Sequence, residues 1–87
     1  MKIKISENVV WRDHEGEIVI LNLTSGVYFS VEGLGTRIWI LMSEQVAPEE
    51  MIRTLVREFD VEEPQLRRDV ESLVRDLISQ GLIEVSE

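Results

Sequence analysis

The apolar residues of this chain change their spacing once, near residue 32, and that change restricts the fold more than any other feature. Before it lie short runs rich in β-branched and aromatic residues: Val9-Val10-Trp11-Arg12, then Glu17 to Leu23, then Gly26-Val27-Tyr28-Phe29-Ser30-Val31. After it, apolar positions recur every three or four residues. Strands grouped first and helices grouped second predict an α+β fold, a three-stranded antiparallel sheet followed by a three-helix bundle in a winged helix-turn-helix-like order. Its 87 residues supply material for one core, so residues 1–87 read as a single domain.

Turn-formers separate the strands. Asp13-His14-Glu15-Gly16 closes the first run and Thr24-Ser25-Gly26 precedes the third, which makes a meander the economical topology. In the second strand Ile18 and Ile20 fall on one face and Val19, Leu21 and Leu23 on the other, so both faces of the sheet ask for cover. The helices supply one cover; the N-terminal segment, a partner protein or a second copy would supply the other. The third strand runs straight into a helix and has one neighbour in its own chain, which leaves a row of N–H and C=O groups unpaired. Such an edge accepts a peptide as an extra strand. With Phe29 facing inward, Tyr28 points to the opposite face, where its ring suits a peptide site. Lys2-Ile3-Lys4-Ile5 also alternates, in a run too short to decide by pattern.

The first helix is expected over Glu32 to Ser43, entered through Gly33-Leu34-Gly35, with Leu34, Ile38, Leu41 and Met42 at helical spacing and Trp39 and Ile40 widening the band. Pro48 suits the first position of a second helix, and Glu49 and Glu50 complement its dipole. Met51, Ile52, Leu55, Val56 and Phe59 form its buried side, Arg53, Arg57 and Glu58 its wet one. Pro64 opens a third helix carrying Leu66, Val70, Leu73 and Leu77, with Gly81 as its stop. Val74 and Ile78 give that helix more apolar width than one neighbour needs, enough to floor a groove. Leu82-Ile83-Glu84-Val85 suits a short final strand.

Seventeen acidic against nine basic residues leave a net charge of −8, which repels phosphate backbones and anionic lipid. Nucleic acid and membrane are therefore poor partners. The third helix carries Arg67, Arg68 and Arg75, the residues a DNA-reading helix would use, but interleaves them with Asp69, Glu71 and Asp76, so surface pairing accounts for them. The absence of cysteine excludes disulfides and thiolate chemistry and fits a reducing cytoplasm. No apolar run in Met1 to Glu7 resembles a signal peptide, and no stretch approaches the roughly 20 apolar residues of a membrane span. The single histidine, His14, sits among Asp13, Glu15 and Glu17 in a turn, an exposed polar segment rather than a metal site. Gly33-Leu34-Gly35 lacks the third glycine and the βαβ setting of a dinucleotide fingerprint. No serine has a base at hand, and Glu49-Glu50 and Glu62-Glu63 lie at helix starts, where the dipole explains them. The chain reads as a binding protein with no catalytic residues, metal or cofactor.

Three stretches resemble the PqqD family of precursor-peptide recognition elements: Leu21-Asn22-Leu23-Thr24-Ser25-Gly26-Val27-Tyr28-Phe29-Ser30-Val31, then Gly35-Thr36-Arg37-Ile38-Trp39-Ile40-Leu41, then the segment from Asp69 to Ile83. The resemblance implies that the leader of a ribosomally made precursor peptide adds beside the third strand, in a cleft between that strand and the third helix. The strand positions it implies are Val27, Tyr28, Phe29, Ser30 and Val31; the helix positions are Val70, Val74 and Leu77, with Arg67, Asp69 and Arg75 as polar contacts. It further implies partner enzymes: a leader peptidase and a cyclase in lasso-peptide pathways, or a radical SAM enzyme in quinone cofactor biosynthesis. The turn and strand Thr24-Ser25-Gly26-Val27-Tyr28-Phe29 is more similar to the lasso-type members.

Overall fold

The computed structural model describes residues 2–86. The two ends of the single-domain reading, Met1 and Glu87, lie outside the described residues. In chain order the elements are β1 (Lys2–Ile5), β2 (Val9–His14), β3 (Glu17–Asn22), β4 (Tyr28–Val31), α1 (Leu34–Ser43), α2 (Pro48–Phe59), α3 (Glu63–Ser79) and β5 (Ile83–Ser86). The expected meander is present as an antiparallel sheet in the order β2-β3-β4, and three helices follow it.

A second sheet joins the chain ends. β1 and β5 pair antiparallel, with Ile3 opposite Val85 and Ile5 opposite Ile83. Each strand has four residues and finds its only partner at the other end of the sequence, so local pattern reveals neither the pairing nor its register. Ile3 and Ile83 are buried. Because Ile3 lies with Met51, Ile52 and Val70 of α2 and α3, the N-terminal segment is not the cover of the meander's second face.

The β2–β3 hairpin turns on Glu15 and Gly16, both at positive φ (56° and 91°), the pairing of signs that suits the right-handed twist of the flanking strands. The Gly16 N–H donates to Asp13 Oδ1 at 3.0 Å. With only two residues in the turn, β2 extends to His14 instead of ending at Arg12. At the other junction, α1 begins at Leu34 rather than Glu32, because Gly33 stands at φ 58°, ψ −124°, a conformation open to glycine and closed to most residues.

Asn22 ties the sheet to α3. Its buried Oδ1 accepts from the N–H groups of Thr24 and Ser25 and from Asn8 Nδ2, which shapes the β3–β4 turn. Its Nδ2 donates 2.9 Å to the Gln80 carbonyl, just past the end of α3. Gly81 makes room: a Cβ there would lie 3.1 Å from that same nitrogen. A buried amide with its capacity filled on both sides fixes geometry at little cost, whereas one left unpaired would cost about 1–3 kcal/mol.

The core lies between the meander and the helices. Ile18 and Ile20 of β3 are fully buried against Trp39, Leu55, Leu66, Leu77 and Leu82. Trp11 stands edge-on to Trp39, ring centroids 6.0 Å apart at 81°. No helix among the described residues is long and apolar enough to cross a membrane.

Candidate functional site

β4 is an edge of its sheet, hydrogen-bonded to β3 alone. The register pairs Leu21 with Tyr28, Ile20 with Phe29, Val19 with Ser30 and Ile18 with Val31. The Asn22 N–H donates to the Val27 carbonyl at 3.0 Å, and in an antiparallel ladder bonded pairs recur at every second residue. Phe29 and Val31 therefore spend their backbone groups on β3. Tyr28 and Ser30 turn theirs outward: two N–H donors and two C=O acceptors, about 7 Å apart along the strand, face away from the sheet. The side chains obey the same alternation. Phe29 is half-buried and Val31 buried on the core face, while Ser30 and Tyr28 are exposed, Tyr28 to 68%.

One flank of α3 borders this edge. A Cβ on Gly35, in the first turn of α1, would lie 3.1 Å from the Val31 Cβ and 3.9 Å from Leu73 Cδ2. The end of β4, the start of α1 and Leu73 thus converge, and a side chain at position 35 would force them apart. Asp69, four residues before Leu73, and Asp76, three after it, share its flank by helical spacing. Asp69 accepts a hydrogen bond from Gln65 Nε2 at 2.8 Å. The edge is bordered by an apolar side chain set between two carboxylates.

The residues singled out from sequence are distributed between two places. Tyr28, Phe29, Ser30 and Val31 form β4, and Val27 precedes it with its backbone already used: its carbonyl accepts from Asn22 and its N–H donates to Ser25 Oγ at 3.2 Å. Of the helix set, Asp69 stands on the flank nearest β4. Leu77 has no exposed surface and belongs to the core. Val70, 6% exposed, and Val74 lie on the other side of α3, in a groove of about 330 Å³ with Ile3, Pro48, Met51 and Ile52, and Arg67 and Arg75 stand at its rim. Arg67 is already paired, with Glu49 at 2.8 Å and Glu63 at 3.1 Å. The hydrogen bonds that Arg67 donates to these carboxylates raise its pKa, and the same guanidinium holds the Glu49 carboxyl below its ordinary value. Of the helix positions expected to face the cleft, Leu77 is buried and Val70 and Val74 line this groove, while Leu73 is the α3 side chain that comes near Gly35 and the end of β4. α3 is apolar across a wide arc, and which side of the arc meets β4 depends on the approach of α1 at Gly35, a tertiary fact with no local signal.

An antiparallel sheet whose β4 edge stands open near an apolar helix flank has the geometry to take on an extended chain as a further strand. The chain belongs to the PqqD family: the family model for coenzyme PQQ synthesis protein D matches residues 17–83, from the start of β3 to the first residue of β5. Among solved structures it is similar to TbiB1 in complex with the TbiA(beta) leader peptide, at 36% identity and a TM-score of 0.91, over 97% of this chain and 98% of that one. It also shares its fold with lasso peptide synthetase B1 complexed with the leader peptide, at 20% identity and a TM-score of 0.88, over 98% of this chain and 100% of that one. No curated protein matches the chain at a significant level.

Proposed function

We propose that this protein is a non-catalytic cytoplasmic adaptor of lasso-peptide biosynthesis. It captures the leader of a precursor peptide by strand addition to β4 and delivers it to a leader peptidase and a cyclase. The observation that carries the reading is the pair of outward-facing backbone positions, Tyr28 and Ser30, on a strand whose end at Val31 lies near Leu73 of α3. The description of TbiB1, a protein similar over nearly its whole length, as a complex with a leader peptide supports it. The arrangement is winged helix-turn-helix-like in this reading, with the third helix turned toward a peptide instead of a DNA groove. Net charge of −8 and the commitment of Arg67 to Glu49 and Glu63 speak against DNA.

Ordering a flexible leader opposes binding, so backbone pairing alone gives weak affinity. One or two leader side chains seated against Phe29 and Leu73 supply most of it. A second reading draws on the family's name: presentation of a precursor to a radical SAM enzyme in quinone cofactor biosynthesis. The reading predicts a short precursor gene beside this one, and fluorescence anisotropy with that precursor's labelled leader and, separately, its labelled core segment tests it. Saturable binding of the leader and none of the core is expected. Equal binding of both, or of neither, overturns it.

A further inference from the structure

The meander has an inner face covered by helices and an outer face that nothing among the described residues covers. Val10, Arg12, Val19, Leu21, Tyr28 and Ser30 occupy the outer face by the register of the three strands. Val10 is 50% exposed, and a shallow hollow of about 460 Å³ is lined by Val10, Trp11, Arg12, Val19, Leu21 and Tyr28. Arg12 is the one charged residue in that lining, on a chain whose net charge is −8, and among the described residues it forms no ion pair.

Size and charge together select the occupant. β2 and β3, of six residues each, and β4, of four, lie about 4.8 Å apart and present a face of roughly 250 Å². A stable self-association buries about 800 Å² on each partner, so this face alone is too small for one. A two-fold dimer through it would also bring together two molecules of net charge −8. A single helix, about 10 Å across, matches the width, and laying a helix on an open sheet face is the ordinary way to complete two layers. Its complement to Arg12 is a carboxylate.

We propose that the outer face of β2-β3-β4 docks an amphipathic helix of the processing enzyme, with an apolar stripe on Val10, Val19, Leu21 and Tyr28 and a carboxylate on Arg12. The inference rests on the leader reading in one respect: a leader added to β4 widens this face by one strand, its alternate side chains lying beside Tyr28 and Ser30. The enzyme then meets the adaptor and its cargo on one continuous surface, which makes docking stronger when the leader is bound.

The test uses the full chain with the leader and the leader peptidase that the proposed function requires in its gene neighbourhood. Val10→Glu and Arg12→Glu are both exposed changes away from the β4 edge. Each is expected to leave leader affinity within about twofold and to weaken binding of the peptidase about tenfold or more, with Arg12→Lys close to wild type. Peptidase binding unchanged in both glutamate variants overturns the proposal, as does a wild-type chain that binds no peptidase with or without leader. A wild-type dimer in sedimentation equilibrium that Val10→Glu dissolves also overturns it, by naming a second copy as the occupant. Peptidase binding that depends on Val10 and Arg12 in a chain that takes up no leader upholds the docking face and sinks the leader reading alone.

Discussion

The two flanks of α3 present similar chemistry and different opportunity. On one, Val70 and Val74 lie with Ile3, Pro48, Met51 and Ile52 in a groove whose rim charges, Arg67 with Glu49 and Glu63, already satisfy each other. On the other, Leu73 stands near the end of β4, whose outward backbone groups at Tyr28 and Ser30 have no partner among the described residues. Apolar surface alone binds without direction; an open strand edge demands a partner in one register and orientation. What distinguishes the functional flank is therefore unspent backbone, and greasiness is common to both.

The largest expected effect tests that distinction on the backbone itself. Ser30→Pro removes one outward N–H and none that β3 uses, so it should weaken leader binding about a hundredfold or more, some 3 kcal/mol, while circular dichroism stays near wild type. Phe29→Pro, which deletes a donor spent on β3, should instead unfold the hairpin. Retained leader binding by the Ser30→Pro chain would break the comparison outright.

Next comes the side-chain contrast. Leu73→Ala should reduce leader affinity about tenfold and stability by about 1–2 kcal/mol, since the residue is half-buried. Val74→Ala should match it in stability loss yet leave leader affinity within about twofold. Calorimetry on both variants, read beside their urea midpoints, separates the flanks; an equal loss of leader affinity in the two would erase the distinction.

The smallest effect belongs to the ion pair that closes the other flank. Glu49 has its pKa lowered by the hydrogen bond and charge of Arg67, so its contribution is present above the unfolded carboxylate value, about 4.3, and fades as pH falls through the lowered folded value. Glu49→Gln should thus lower Tm slightly at pH 7 and progressively less as pH falls into the acid range, in scanning calorimetry at low salt. Both side chains are solvated, which keeps the shift small. Leader affinity should not follow it.

Much of this architecture is legible in sequence because local rules decide it. Pro48 opens α2, the proline at 64 falls at the second position of α3, and the alternation of Ile18 and Ile20 against Val19 and Leu21 marks the inner and outer faces of β3. The open edge of β4 also follows from order alone, because a last strand that leaves into a helix has one neighbour. Elsewhere the deciding partner lies far away in the chain. β1 needs β5, and Asn22, an unremarkable turn residue by composition, earns its burial from Gln80. Which α3 flank meets β4 is set by the close approach at Gly35. Of the covers the sequence leaves open for the second sheet face, the N-terminal segment lies elsewhere, beside α2 and α3, and Val10 and Tyr28 stay exposed.

Amide hydrogen exchange resolved at Tyr28 and Ser30 tests the central claim most directly. In the free protein these two N–H groups should exchange orders of magnitude faster than those of Phe29 and Val31, and saturating leader should slow them to the pace of their neighbours. Protection of Tyr28 and Ser30 before any leader is added, or continued rapid exchange once it is bound, would contradict strand addition at β4.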